Sequence, residues 1–295
     1  MIEILNEKYR PKEFEEVVGL DPKIPELVGK RDVPHFLFIG PPGTGKTTTA
    51  KIIVRKLEAD VLMLNASKER GIDVIRNRIE PFATKASDKI KIVFFDEFDA
   101  TTPQFQTALR NFMETHANST RFIATCNYPN KIIEPVRERF VSFKFTRYKE
   151  EEKLRRIKEI AEKEDITISD EVLGLIVRKY KDNIRSMINL LHKHRGKEIK
   201  KEDVSYEDIV LKILSVLKNK KWEEIRSELL PQNLDYDFLI SEMENVVFFH
   251  KQIPGDVKLK VNRICAESQF KMHFSFDKEM CFADCMARLQ EVLQW

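Results

Sequence analysis

Two hydrophobic periods alternate through the first half of the chain. Five short runs are apolar at nearly every position: His35–Ile39, Val61–Asn65, Lys91–Asp96, Phe122–Asn127 and the weaker Ser142–Phe145. Rich in Phe, Ile and Val, they predict strands. Between them, at about 46–58, 71–85 and 103–117, apolar residues recur at three- and four-residue spacing and predict helices. Strands that are apolar on both sides of the pleat are expected to be covered on both faces. Strand–helix alternation of this kind builds a parallel sheet flanked by helices.

From about residue 148 the strand signal stops. Lys149–Glu164 reads as a charged amphipathic helix. A second helix is capped by Ser169 or Asp170 and runs to about Tyr180, and a third is capped by Asp182. The segment Lys193–Lys201 reads as a polar linker. Beyond it, helical spacing recurs in Ile209–Leu217, Phe238–Phe249, Val257–Phe270 and Phe282–Leu293, punctuated by Pro231 and Pro254-Gly255. These last stripes fit either a bundle core or a subunit contact. The domains expected are therefore 1–147, 148–203 and 204–295.

Composition narrows the class. At 295 residues the chain is long enough for a core without disulfide staples. Its 34% charged residues suit a helical, solvated surface. No apolar run approaches a membrane span, and the first residues carry acids where a signal peptide needs bases, so a cytoplasmic protein is expected. Cys126, Cys265, Cys281 and Cys285 form no CxxC pair and read as reduced thiols rather than a zinc site; His192 and His194 read as surface residues. The net charge of +3 is small, but residues 1–150 carry +4 and residues 151–295 carry −1, so a polyanion meets the first half more readily.

The candidate chemistry sits at strand ends. Gly40-Pro41-Pro42-Gly43-Thr44-Gly45-Lys46-Thr47 follows the first strand, opens a helix and matches GxxxxGK[ST]. Glycines let backbone N–H groups converge on phosphate oxygens, and the helix dipole points at the same place. Lys46 is expected to reach the outer phosphates and Thr47 the Mg²⁺; Thr48 completes the ATP-contacting segment. Asp96 and Glu97 end the third strand, one suited to Mg²⁺ and the other to activating a water. Asp99 fits a helix N-cap. Asn127 ends the fourth strand, placed either to orient that water or to form a turn.

These residues make the chain resemble a small ATPase subunit of a sliding-clamp loader, of the replication factor C and phage clamp-loader kind, within the AAA+ ATPases. The resemblance runs through Glu7-Lys8-Tyr9-Arg10-Pro11, the phosphate loop, Asn65-Ala66-Ser67 with Arg70-Gly71-Ile72-Asp73-Val74-Ile75-Arg76, Asp96-Glu97-Phe98-Asp99, and Cys126-Asn127-Tyr128. It is strong over residues 6–195; beyond them it rests on helical character and length, with a C-terminal third closer to phage proteins. The fold it implies is an α/β AAA+ P-loop domain, a helical lid and an all-helical C-terminal collar.

Carried onto this chain, the resemblance implies that Tyr9 and Arg10 line the adenine pocket. Asn127 becomes the first sensor and Arg185 the second, with a solvated helix residue as the alternative for Arg185. Arg139 becomes an arginine finger serving the neighbouring subunit, with Arg137 as rival, because Glu138-Arg139-Phe140 stands where the family reads Ser-Arg-Cys. Lys68, Arg70 and Arg76 are expected at DNA, with ordinary surface charge as the alternative. Ile79 and Phe82 are expected at the clamp, with a buried core pair as the alternative. The implied partners are a sliding clamp, primer–template DNA and other subunits in a ring of five. The implied setting is the cytoplasm, or a host's if the chain is viral. Two rivals stand beside this reading: another AAA+ DNA motor of the branch-migration type, and a scaffold that binds nucleotide without hydrolysing it.

Overall fold

The fold was described from a computed structural model, which covers residues 4–30, 33–116, 119–146, 148–205, 207–218, 235–250 and 253–293. Pro231 lies outside the described residues. The chain divides into two compact units, Met1–Ile199 and Lys200–Trp295.

The first unit is built on five parallel strands: β1 (Phe36–Ile39), β2 (Asp60–Asn65), β3 (Lys91–Asp96), β4 (Thr120–Cys126) and β5 (Val141–Lys144). Their order in the sheet is β2-β3-β4-β1-β5. β1 lies between β4 and β5, with Phe36 opposite both Ile123 and Val141. Successive side chains point to opposite faces, and both faces are apolar. Leu37, Val93, Phe95, Phe122 and Ala124 pack on one side against Phe105 and Leu109 of α5 (Pro103–Thr115). Phe36, Phe38, Phe94, Ile123 and Phe143 pack on the other against Ala50, Ile52 and Ile53 of α3 (Lys46–Lys56). Two-sided cover fails at β2, a sheet edge, where Val61 is 37% and Met63 47% exposed. Hydrophobic run length does not reveal which strand ends a sheet.

α1 (Leu5–Lys8) and α2 (Lys23–Gly29) precede the sheet. The helix expected at 71–85 is interrupted. Wide π turns span Ile75–Ile79 and lead into α4 (Glu80–Thr84). Pro81 accounts for this: it has no N–H for a carbonyl four residues back, and its ring crowds that carbonyl. α6 (Glu134–Arg137) precedes β5.

Three helices follow the sheet: α7 (Glu150–Lys163), α8 (Asp170–Tyr180) and α9 (Ile184–Lys193). Ser169 caps α8, accepting from Val172 N–H. The cap of α9 is Asn183, which accepts from Ser186 N–H, and not Asp182. Asp182 instead accepts from Tyr148 N–H and pairs with Lys153 at 3.3 Å. Both residues suit a cap, and the long-range partners chose between them. Strand is also present here: β6 (Thr167–Ile168) pairs in parallel with β7 (Glu198–Ile199). Ile199 is buried, so the segment after α9 is not wholly a polar linker. Two residues per strand leave no periodicity to read.

In the second unit the described residues form α10 (Glu207–Lys218), α11 (Tyr236–Phe249), α12 (Gly255–Phe274) and α13 (Lys278–Val292). Val210, Ile213, Leu239, Met243, Phe282 and Leu289 fill its core, with Cys265 and Cys285 buried among them. Phe270, Phe274 and Phe276 are exposed.

One core contact carries a pH signature. His35 accepts from Phe122 N–H at 3.1 Å, and its ring lies edge-on to Phe122 and Phe140. Burial, then Arg121, pushes its pKa down to about 4. Unfolded histidine titrates near its ordinary value of about 6.5, so between these two pH values the unfolded chain holds more protons. The stability from neutral His35 is therefore complete above about pH 6.5 and lost as pH falls through 4. It amounts to about 3 kcal/mol. Urea unfolding at pH 7 and pH 4.5 is expected to show a smaller loss for His35→Gln than for wild type. Equal losses would refute the assignment.

Candidate nucleotide site

The sheet order brings three strand ends together. β1, β4 and β3 are consecutive neighbours, so the phosphate loop, Asn127 and the Asp96-Glu97 pair emerge side by side at the carboxyl edge. A cavity of about 340 Å³ opens there. Residues from Pro42 to Thr48 line its floor, Glu97 and Asn127 one wall, Tyr9 and Arg10 another, and Arg185 closes it from α9.

The loop backbone needs its glycines. Gly43 and Gly45 have φ of +81° and +95°, a region that side chains avoid. A Cβ on Gly43 would lie 2.0 Å from Asn183 Oδ1. The loop thus packs on the residue that caps α9, and Tyr148 Oη donates to Thr44 O at 2.6 Å from the same side. Lys46 is buried and donates to Gly40 O (2.6 Å), Pro41 O (2.8 Å) and Asn127 Oδ1 (3.0 Å). Burial pushes its pKa below the usual lysine value, against the pull of Asp96 and Asp99. Gly40 and Pro41 do not line the cavity; they meet Lys46 through their carbonyls.

Asp96 Oδ1 accepts from Thr47 Oγ1 at 2.9 Å and from Thr125 Oγ1 at 2.6 Å. Thr125 Oγ1 in turn accepts from Glu97 N–H at 3.1 Å. This chain of bonds holds Glu97 in a left-handed conformation, φ 59°, with its side chain exposed toward the cavity. For a non-glycine residue this is uncommon backbone that the surroundings must maintain. Asp99 does not cap a helix. Its Oδ2 accepts from Asn127 and Tyr128 N–H, so it fixes the turn that presents Asn127. Cys126 beside it is buried, and burial pushes its thiol up to about 12, which leaves it inert.

The remaining predicted residues lie elsewhere. Arg139 does not line the cavity; its guanidinium bonds Pro135 O and the Glu114 carboxylate. Arg137 also lies outside, 4.0 Å from Glu134. Lys68, Arg70 and Arg76 are exposed at and after the end of β2. Of the pair expected at the clamp, Ile79 is fully buried in the core, as the alternative reading had it, and Phe82 is partly accessible. Helical spacing places Ile79 on an apolar face without saying what covers it. Sequence reasoning also missed Thr125, Tyr148, Arg156 and Asn183. Asn183 alone left a trace, standing one residue before an amphipathic run.

Residues 36–148 match the family of ATPases associated with various cellular activities. Across its length the chain is 35% identical to the replication factor C small subunit of Staphylothermus marinus, covering 96% of this chain and 93% of that one. The chain belongs to the replication factor C small-subunit family. The corresponding protein of Archaeoglobus fulgidus is 43% identical over 64% of this chain and 63% of its own. Subunit 4 of Encephalitozoon cuniculi is 38% identical over 79% and 77%. The similarity to Staphylothermus extends through the helical C-terminal third, beyond the motifs that carry the resemblance in sequence. Among solved structures, the RuvB Holliday junction branch migration motor of Thermotoga maritima superposes with a TM-score of 0.55, covering 80% of this chain and 85% of that one. At 19% identity that likeness shows the AAA+ fold alone. Family membership makes the chain an AAA+ clamp-loader ATPase subunit, and it favours neither the branch-migration motor nor the scaffold.

Proposed function

We propose that this subunit uses ATP binding to help open a sliding clamp around primer–template DNA, and ATP hydrolysis to release it. The observation that carries the reading is the convergence of Lys46, Thr47, Asp96, Glu97 and Asn127 on one cavity, while Arg139 stands away from it. Glu97 takes the proton of the attacking water and Asn127 orients that water. Lys46 neutralises phosphate charge, and Arg185 reaches the same charge from α9. Tyr9 and Arg10 take the adenine end.

Oxygen donors at Thr47 and Asp96 fit Mg²⁺, which takes few protein ligands and keeps water and phosphate oxygens for the rest. Bound there, Mg²⁺ supplies charge neutralisation at the phosphates.

Arg139 completes the site of a neighbouring subunit, in a ring of five. The functional division is an ATPase domain (1–147), a lid (148–203) and a collar (204–295). The exposed Phe270, Phe274 and Phe276 suit a subunit contact in that collar. Lys68, Arg70 and Arg76 track the DNA phosphates, and Phe82 contributes to the clamp contact. The setting is the cytoplasm, or a host's cytoplasm if the chain is viral. No described helix is long and apolar enough to cross a membrane.

The test is steady-state ATPase of the assembled subunits with DNA, with clamp, and with both. Synergistic stimulation by both is expected. Neutralising Lys68, Arg70 and Arg76 together should remove about three from the salt slope of DNA binding. Stimulation by DNA alone, indifferent to clamp, would instead support a motor.

A further inference from the structure

Glu164, at the end of α7, is a carboxylate whose side chain is 1% exposed. A buried carboxylate persists only when its charge is answered. Here three groups from two distant segments answer it. Lys8 Nζ lies 2.6 Å and Tyr9 Oη 2.5 Å from Oε1, and Arg195 Nε lies 2.7 Å from Oε2. Burial raises the Glu164 pKa, but Lys8, Tyr9 and Arg195 together hold it below the ordinary value. About two turns earlier on α7, Arg156 Nη2 donates to Tyr9 O at 3.0 Å, and Arg156 itself lines the nucleotide cavity.

The same cavity is walled by the N-terminal segment, through Tyr9, Arg10 and Pro11, and by α9, through Ile184, Arg185 and Ile188. These walls are more than 170 residues apart in sequence. Their spacing is set by whatever ties one to the other. α1 packs directly on α9, with Asn6 Nδ2 donating to Asn189 Oδ1, and Glu164 and Arg156 add a second tie at residues 8–9: Arg156 sits on α7 and Glu164 just past its end, and α7 also packs against α9.

We propose that Glu164 is a positioning residue for the base end of the nucleotide, latching the Tyr9-Arg10 segment to the three-helix lid so that the adenine pocket has a fixed width. The proposal rests on the reading of Tyr9 and Arg10 as the adenine wall. The hydrogen bonds and ion pairs of Glu164 go to Lys8, Tyr9 and Arg195 and none to the phosphate loop, so it acts on the base end and not on the triphosphate. Hydrogen bonds to charged groups are among the stronger ones, and two of these three engage residues 8–9 directly.

The experiment measures affinity of the full chain for ATP and for inorganic tripolyphosphate, in wild type, Glu164→Gln and Arg195→Gln, with thermal unfolding alongside. Glu164→Gln is expected to weaken ATP binding about tenfold and tripolyphosphate binding less than twofold, with turnover at saturating ATP in the assembly within about twofold of wild type. Arg195→Gln, at a partly exposed site, is expected to show the same pattern at about threefold, and it keeps the test open if Glu164→Gln fails to fold. Unchanged ATP affinity with a lowered unfolding temperature would overturn the proposal, leaving Glu164 structural. Equal losses for ATP and tripolyphosphate would also overturn it. A wild type that binds tripolyphosphate as tightly as ATP would overturn the adenine-wall reading itself.

Discussion

Replacing Glu97 by Gln is expected to cut ATP turnover by about 10²–10⁴-fold while leaving ATP affinity within a few-fold. Glutamine keeps the size and the hydrogen-bonding reach of glutamate but cannot take a proton from water. The surrounding structure does not depend on the charge. Glu97 contributes its backbone N–H to Thr125, and that bond survives the substitution. Its side chain is exposed toward the cavity, so its loss leaves no buried group unpaired. The variant should therefore trap nucleotide and accumulate as an ATP-bound assembly. Single-turnover hydrolysis and equilibrium binding, measured on the same preparation, check both halves. Undiminished turnover would assign the base elsewhere, and would revive a scaffold whose behaviour never depended on hydrolysis.

Arg139→Ala is expected to cost about 10³–10⁵ in turnover, and only in the assembled complex. The guanidinium does not reach its own cavity, and its partners, Pro135 O and Glu114, lie with it outside that cavity. A cation that stabilises the transition state must be presented to another subunit's site or to none. The isolated chain should hydrolyse slowly with or without the substitution. Mixed assemblies give the sharper check. Chains carrying Glu97→Gln and chains carrying Arg139→Ala are each inactive alone. Mixed, they should regain activity at interfaces where an intact Arg139 faces an intact Glu97. No recovery, or an effect of Arg139→Ala in the lone chain, would refute action in trans. Arg137→Ala should have little effect; an equal loss would move the finger to Arg137.

Much of the site was legible because its parts are local. Gly40–Thr47 is contiguous, and its conformational demands are written in which positions are glycine. Asp96, Glu97 and Asn127 were found because a parallel sheet puts ligands at strand ends, and the strands themselves could be read from their apolar runs. The misreadings share one cause. Asp182 suits a helix cap by sequence, but Tyr148 and Lys153 claim it, and Asn183 caps instead. Ile79 sat on an apolar face, and the core covered it. β2 looked buried on both sides, yet it is an edge. In each case the residue suited two environments equally, and contacts distant in sequence chose.

By itself, then, the sequence determined the five strands of the main sheet, their parallel arrangement, the longer helices, the phosphate loop and the acids that face it, because each follows from spacing within about a dozen residues. The tertiary structure alone decided the strand order that sets Lys46 against Asn127 and Thr47 against Asp96. It also decided the exclusion of Arg139 from its own cavity, and the grip of Glu164 on Lys8, Tyr9 and Arg195. Those pairings join side chains that no local period relates. They form where the fold brings the side chains within reach, and the burial of Lys46 and Glu164 makes it costly to leave either charge unanswered.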